Sequence, residues 1–386
     1  MGAEALGIRL LSEVKEESLG AFLGNLRLLH EPRPSSRVGI PQIDRLLEVF
    51  QYPVTQAQTF QSWGSPTRIE GDIQTASRNT ARNKTAVIEI VGPSGCGKSH
   101  ILYYAITIAI LPSSFHVAER EIQLDGKDGT VIFLDADNRF NATRLYQIMM
   151  SYVTRLVLQI LEPNVVQDAD VSALVKSSMQ HIHVFRPSST SSLLATIESI
   201  PDYLLNVNTH VSGYRVLRLL LLDSATAFYW SDRFAVENAR VDPSSAYNSH
   251  PNKWPMIVKC LQELQRKFDC TIIATSWALF PTTTSDQGVR SCKPCIPGPW
   301  ASFCTLRLRV SRCSVPKFKP GIAIEEARHE ARRRQQAVEK GQFEGYVDGW
   351  GSEEWSEGVH EGLKRVRGKG WFKFWVRDEE VGFDGE

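Results

Sequence analysis

The sequence predicts an α/β fold in which a mostly parallel central sheet carries helices on both faces. Three observations predict it. Short aliphatic runs of strand length end in acidic or polar residues, as in Val216 to Asp223. Segments with apolar residues at helical spacing, such as Leu145 to Ile160, lie between these runs. The two patterns alternate from residue 86 to residue 275, and repeated βα units form parallel sheets.

The elements follow one another in order along the chain. Apolar runs bounded by polar residues predict strands at 86–91, 130–134, 181–185, 216–222, 271–275, 303–310 and 371–376. Apolar residues on one helical face predict helices at 101–111, 145–160, 191–200 and 255–268, the last with Pro255 in its first turn. Residues 279–299 form a long loop rich in Thr, Ser, Pro and Gly, and loops of that length usually carry function or are disordered.

Between the first strand and the first of these helices lies a phosphate-binding P-loop. Gly92-Pro93-Ser94-Gly95-Cys96-Gly97-Lys98-Ser99 fits the pattern G-x-x-x-x-G-K-[ST] in its strand–loop–helix setting. The glycines let successive backbone N–H groups face one point, and Lys98 adds a positive charge there. Ser99 offers a hydroxyl to Mg²⁺. We predict that a triphosphate binds to Gly92, Pro93, Ser94, Gly95, Cys96, Gly97, Lys98, Ser99 and His100, with Lys98 also acting in catalysis.

A carboxylate for the magnesium ion is predicted at the end of another strand. Four leucines, 219–222, precede Asp223, so this acid lies at the carboxyl edge of the sheet, where open α/β sheets bind ligands. Ser99 and Asp223 are therefore the predicted metal ligands. The alternative is that Asp223 caps the following turn through Ser224. Asp137 is a candidate general base for the attacking water, and its alternative role is to cap the next helix.

The overall composition excludes several classes of protein. The net charge of +1 gives no global attraction to nucleic acid. Seven scattered cysteines are not a disulfide framework, and the N-terminus lacks the basic and apolar regions of a signal peptide, so we expect a reducing compartment. No run reaches the ~18 apolar residues of a membrane span, and we expect no membrane association.

The chain divides into five parts by composition. We predict an N-terminal helical lead-in at 1–50, a polar and disordered insertion at 51–84 and a core at 85–320 that holds the P-loop. A charged, helical or low-order insertion follows at 321–370, and a C-terminal strand and tail at 371–386.

Three weaker patterns have structural alternatives. A zinc site at Cys292, Cys295, Cys304 and Cys313 is disfavoured because the second pair is too widely spaced. His181 and His183 face one side of their strand, which favours a structural role. The basic clusters 332–334 and 364–371 suit nucleic-acid contact, although a solvated face is the default for such runs.

The segment 219–233 resembles the Walker B region of the eukaryotic RecA-type recombinase paralogues, in which Asp-Ser is followed by Ala-Phe-Tyr-Trp and then Asp-Arg. The resemblance extends to the P-loop with Leu102-Tyr103-Tyr104 behind it, and to 131–145 with its Phe-Leu-Asp-x-Asp. It also includes Phe185, 273–276, and Trp300 before the strand 306–310. In all it covers roughly 86–311, with a weaker similarity at 39–47.

The resemblance implies a RecA-like P-loop NTPase core that binds ATP and Mg²⁺ and acts in DNA double-strand break repair by homologous recombination in the nucleus. It implies a subunit that helps to assemble the recombinase filament on single-stranded DNA. The implied partners are another RecA-like recombinase paralogue, of the D type, the recombinase filament itself, and single-stranded or branched DNA contacted through the complex.

Departures from the recombinase pattern predict weak or absent DNA-dependent ATPase activity. Full recombinases have Glu where this chain has the shorter Asp137, and an Asn-Gln pair where it has Thr275-Ser276. The loop 279–299 holds only two cations, Arg290 and Lys293. The alternative is an autonomous DNA-stimulated ATPase or strand-exchange recombinase, and a third reading is a P-loop kinase or an unrelated nucleotide switch.

Overall fold

The computed structural model describes most of the chain between residues 37 and 384. The described ranges are 37–53, 86–117, 119–161, 168–241, 252–280, 282–284, 290–296, 298–315, 317–366, 368–377 and 379–384. Residues 1–36 of the helical lead-in predicted at 1–50, and nearly all of the polar insertion predicted at 51–84, lie outside these ranges.

A nine-stranded sheet forms the centre of the molecule. Its strands are β1 (Val87–Gly92), β4 (Thr130–Asp135), β5 (Ile182–Phe185), β6 (Leu217–Asp223), β7 (Thr271–Trp277), β10 (Leu306–Arg312), β11 (Gln342–Val347), β12 (Trp371–Val376) and β13 (Val381–Phe383). Two hairpins stand outside it: β2 (Ser114–Val117) with β3 (Arg120–Gln123), and β8 (Thr282–Thr284) with β9 (Arg290–Cys292). The order across the sheet is β13-β12-β11-β10-β1-β7-β6-β4-β5.

The pairing divides this sheet into two parts. From β10 to β5 all neighbouring strands are parallel, whereas β10 to β13 are joined by antiparallel pairs. The predicted parallel sheet is therefore present, and the chain extends it at one edge with a C-terminal antiparallel part. The range 321–370 contributes a strand and two helices to this part of the molecule.

Helices cover both faces of the sheet. They are α1 (Pro41–Gln51), α2 (Lys98–Ile110), α3 (Ala142–Leu158), α4 (Asp168–Met179), α5 (Thr190–Leu205), α6 (Tyr229–Val241), α7 (Trp254–Phe268), α8 (Pro299–Phe303), α9 (Ile324–Glu339) and α10 (Glu357–Arg365). The helix predicted at 191–200 continues through Pro201 to Leu205. No residue of the charged helix α9 is buried.

The two faces of the sheet build two hydrophobic cores because strand side chains alternate. Leu219 and Leu221 of β6 pack with α1, α2 and α3, whereas Leu220 and Leu222 pack with α5, α7 and α8. The central strands are buried on both faces and are therefore almost wholly aliphatic. Among the described residues, no helix combines the length and the apolar character needed to cross a bilayer.

Candidate nucleotide-binding site

The P-loop connects the end of β1 to the start of α2 at the carboxyl edge of the parallel strands. Pro93, Ser94 and Gly95 are exposed, so this side of the loop faces solvent. Gly95 has a positive φ of 72°, and no atom lies within 4 Å of the position a Cβ would take. Gly97, at φ 88°, is the N-cap of α2. Only glycine adopts such angles without strain, so the motif shapes this open loop.

Lys98 lies under the loop rather than in solvent. Its side chain is 8% exposed, and Nζ donates hydrogen bonds of 2.8 Å to the carbonyl oxygens of Gly92 and Pro93. The Cys96 thiol lies 3.7 Å from the same ammonium. Burial raises the pKa of Cys96 despite the nearby Lys98 charge, so its thiol stays protonated at neutral pH. The lysine is thus held as a fixed positive charge at the loop.

The two predicted metal ligands are in direct contact. Ser99 Oγ donates a hydrogen bond of 2.8 Å to Asp223 Oδ2, across 124 positions in sequence. Asp223 is the last residue of β6 and is buried. Its other carboxylate oxygen, Oδ1, accepts a hydrogen bond from Thr275 Oγ1 on the neighbouring strand β7. The carboxylate is therefore held between a P-loop hydroxyl and a strand hydroxyl.

Thr275 is a site residue that the sequence pattern did not identify as one. It is fully buried, and its strand lies beside β6 with Ala274 level with Leu222. The sequence does show a polar residue after the aliphatic run of each strand, in Leu222-Asp223 and in Ala274-Thr275. This pattern identifies Thr275 as a site residue only when β6 and β7 are known to be neighbours.

The two acids after β4 have different surroundings. Asp135 accepts hydrogen bonds from the backbone N–H groups of Arg139 and Phe140, so it organises the turn that follows. It also forms an ion pair of 3.2 Å with Arg186. Asp137 is half-buried, and its backbone N–H donates to the Asp223 carbonyl oxygen at 3.2 Å. Burial, and after it the negative charge of Asp223, raises the pKa of the Asp137 carboxyl. A raised pKa favours proton uptake, as a general base requires.

His100, the last of the predicted nucleotide-binding residues, contacts α3. Its Nε2 accepts a hydrogen bond of 3.3 Å from Arg144 Nε. Burial, and after it the Arg144 charge, lowers the pKa of His100 to about 4. The imidazole is thus neutral at physiological pH, and Arg144 supplies the positive charge beside it.

The residues present fit Mg²⁺ and ATP. A hydroxyl and a carboxylate, the oxygen ligands that Mg²⁺ prefers, meet beside a buried lysine and a solvent-facing glycine loop. Ser99 and Asp223 would hold the metal ion, and Lys98 with the loop amides would bind phosphates. The metal would neutralise phosphate charge.

The histidines of the strand β5 region belong to a separate network. His181 Nδ1 and His183 Nε2 both lie 2.9 Å from Ser212 Oγ, so the two rings face one side, as predicted. Tyr203 OH lies 2.9 Å from the other nitrogen of His183. This arrangement supports the structural role. Among the described residues, no group of three or more His, Cys, Asp or Glu side chains forms a metal site.

Comparison with known proteins identifies RecA-type relatives. No protein-family model matches the chain. It is 27% identical over 215 residues to the DNA repair protein XRCC2 of Mus musculus, a match that covers 54% of this chain and 63% of that protein. It is 25% identical over 142 residues to the human DNA repair protein RAD51 homolog 2, covering 37% of this chain and 29% of that protein. It is 25% identical over 149 residues to the DNA repair and recombination protein RadA of Haloquadratum walsbyi, covering 37% and 40%.

These relatives confirm the predicted fold class, a RecA-like α/β core with a mostly parallel sheet between helices. Within that class they confirm the resemblance to the recombinase paralogues, with XRCC2 and RAD51 homolog 2 among the similar proteins. The chain spans less than two thirds of the length of each of these relatives.

Proposed function

We propose that the protein binds ATP and Mg²⁺ and acts in DNA double-strand break repair by homologous recombination. In this proposal it is a nuclear subunit of a recombinase-paralogue complex that helps the recombinase filament to assemble on single-stranded DNA. It turns ATP over slowly or not at all. Another RecA-like paralogue, of the D type, is the proposed partner, and DNA is contacted through the complex.

The contact between Ser99 and Asp223 carries the nucleotide part of the proposal. Two oxygen-bearing side chains 124 positions apart in sequence meet at 2.8 Å, with Lys98 bonded to the same loop, and such oxygen ligands suit a magnesium ion. The printed names of the relatives, DNA repair proteins and a DNA repair and recombination protein, support the repair part.

The end of β7 supports a subunit rather than an autonomous recombinase. Thr275 donates to Asp223, and Ser276 Oγ donates to Glu89 Oε1 at 2.6 Å. Both side chains are buried and engaged inside the fold. Full recombinases, according to the resemblance, have at this strand end the Asn-Gln pair that couples nucleotide to DNA. In this chain the two side chains at that place bond to other residues of the fold.

The edge of the sheet at β5 supports a protein partner. In the part of the chain that the structure describes, β5 pairs only with β4. Near this edge, the segment 205–214 carries exposed apolar side chains, which we call the β5 patch: Leu205, Val207, Val211 and Tyr214, exposed by 56%, 53%, 62% and 101%. The hydrogen bonds of His181 and His183 to Ser212 hold the 206–214 segment against the β5 region. Exposed apolar clusters beside an open strand suit protein association.

Nucleotide binding is tested by titrating the purified chain with Mg²⁺-ATP and comparing Lys98→Ala with Lys259→Ala, which removes an exposed lysine of α7. Loss of a hydrogen-bonded charge predicts an affinity lower by about 10- to 100-fold for Lys98→Ala alone. Equal affinity of all three proteins would contradict the nucleotide site.

The partner is tested by purifying the tagged chain from its native cells and identifying co-purifying RecA-like proteins. Val207→Glu should lose that protein, whereas Ile324→Glu, at an exposed position of α9, should keep it. A chain that purifies alone and hydrolyses ATP rapidly with single-stranded DNA would instead support the autonomous recombinase.

A further inference from the structure

The C-terminal strands place a row of phenylalanine rings beside the P-loop. Phe343 of β11 is level with Phe374 of β12, which is level with Phe383 of β13. Ring centroids are 5.2 Å apart in the first pair and 5.7 Å in the second, and both pairs are stacked. All three side chains are buried, and Phe374 is fully inaccessible. The row is therefore a rigid apolar unit.

This row touches the P-loop at Gly97. A Cβ added to Gly97 would lie 2.8 Å from Cε2 and 3.0 Å from Cζ of Phe374, and 3.6 Å from Phe343. The ring edge of Phe374 thus occupies the space that any larger residue would need. Packing is this close because Gly97 has no side chain, so the backbone of the loop rests directly on the ring.

Gly97 is the residue from which the nucleotide-binding helix starts. Its carbonyl oxygen accepts hydrogen bonds of 3.1 Å from the N–H groups of both His100 and Ile101. Lys98 and Ser99 follow it directly in the chain. A shift of Gly97 would therefore move the lysine, the serine and the first turn of α2 together.

The β12–β13 hairpin reaches the same region a second time. The carbonyl oxygen of Arg377 accepts a hydrogen bond of 2.7 Å from Arg144 Nη2, and Arg144 Nε donates to His100. Ser151 of α3 also donates to Glu380 Oε1 at 3.2 Å. The hairpin is thus bonded to the helix that faces His100 while its Phe374 supports Gly97.

We propose that the β12–β13 hairpin is a positioning element of the nucleotide site, in which Phe374 holds the P-loop in its phosphate-binding conformation before nucleotide arrives. The inference rests on the proposed nucleotide binding. Phe374 touches the loop backbone and not the ligand, so it is a positioning residue. Its removal lowers the fraction of molecules with a competent loop, and the apparent dissociation constant rises by the inverse of that fraction.

The test compares Phe374→Leu with Phe372→Leu. Phe372 is a buried residue of the same strand, and its ring packs against Gly345, Phe383 and Phe374, whereas the rings nearest to Gly97 are those of Phe374 and Phe343. If the competent fraction falls to a tenth, the Kd for Mg²⁺-ATP rises about tenfold in Phe374→Leu. Hydrogen exchange in the nucleotide-free chain should accelerate at His100 and Ile101 in this variant. Phe372→Leu should lower the Tm comparably and leave both the Kd and the exchange unchanged.

Equal effects of the two substitutions on Kd and exchange, or no effect of Phe374→Leu on either, would overturn the inference. If the wild-type chain binds no nucleotide, the proposed function fails, and the exchange at His100 and Ile101 still decides the role of Phe374. Should Phe374→Leu not fold, the milder Phe374→Met with Phe372→Met gives the same comparison.

Discussion

Replacing Thr275 by valine isolates one interaction of the candidate metal site. The hydroxyl of Thr275 is fully buried and donates to Oδ1 of Asp223, whose Oδ2 accepts from Ser99. Valine has nearly the same shape, so the substitution removes a hydrogen bond and leaves almost no cavity. The buried carboxylate keeps its charge and loses one of its two side-chain donors.

The expected cost follows from that lost donor. A buried charged acceptor left unpaired costs about 1–3 kcal/mol. Taking about 2 kcal/mol, the Tm should fall by about 4–8 °C for a domain of this size. The carboxylate is also released from the orientation that presents Oδ2 to the metal position. If the lost orientation weakens the free energy of binding by about 1.4 kcal/mol, the affinity for Mg²⁺-ATP falls tenfold.

The assay is calorimetric titration of wild type, Thr275→Val and Thr275→Ser with ATP, with and without Mg²⁺, beside thermal melts. Thr275→Ser keeps the hydroxyl and should retain wild-type affinity. The tenfold loss in Thr275→Val should require magnesium, because the threonine acts through the metal ligand. A loss that is equally large without magnesium, or that Thr275→Ser shares, would refute the reasoning.

Two further predictions concern buried ionisable groups. Burial lowers the pKa of His183 to about 4 in the folded chain. Between pH 6.5 and pH 4, His183 is therefore protonated in the unfolded chain and neutral in the folded chain. Stability is therefore complete above pH 6.5 and falls towards pH 4, by on the order of 2 kcal/mol at pH 5, and His183→Gln should flatten this slope in melts between pH 7 and pH 5. Arg307 pairs with Glu89 at 2.9 Å, and Arg307→Met should cost about 3–5 kcal/mol in urea unfolding because it removes the cation beside the buried Glu89 carboxylate and leaves it the neutral Ser276 hydroxyl as a donor. Adding Glu89→Gln to Arg307→Met should recover part of that loss. If Arg307→Met alone were as stable as wild type, this argument would be contradicted.

The parallel half of the fold was predictable because its strands are buried on both faces. Such strands are continuous aliphatic runs, and the predicted boundaries of β1, β4, β6 and β7 agree with the structure to within a residue or two. The contact of Ser99 with Asp223 followed from the same reasoning, because the loop and the acid both end parallel strands at one edge of the sheet.

Helices α4 and α6 were not predicted, for different reasons. Helix α4 carries Val171, Leu174, Val175 and Met179 at helical spacing, a signal that the sequence analysis missed, whereas helix α6 leaves its large apolar residues Trp230 and Phe234 exposed. The contact of Phe374 with Gly97 was equally hidden. It depends on which strands are neighbours at the far edge of the sheet, and one sequence contains no information on pairing between β10 and β11.

The hydrogen bonds at the end of β7 give a physical reason to expect nucleotide binding without DNA-stimulated ATP turnover. In this chain the polar side chains at the end of β7 bond sideways, Thr275 to the metal-site acid and Ser276 to Glu89, which is itself paired with Arg307 of β10. Such bonds tie together four adjacent strands, β10, β1, β7 and β6, beside the site. The polar side chains at the end of β7 are therefore already engaged when a nucleotide binds. The elements whose conformation a nucleotide can still change are the P-loop, α2 and the hairpin that supports them. Of these elements the P-loop is the one that faces solvent, at Pro93, Ser94 and Gly95, so in the proposed subunit a bound nucleotide would act on a neighbouring protein through this loop.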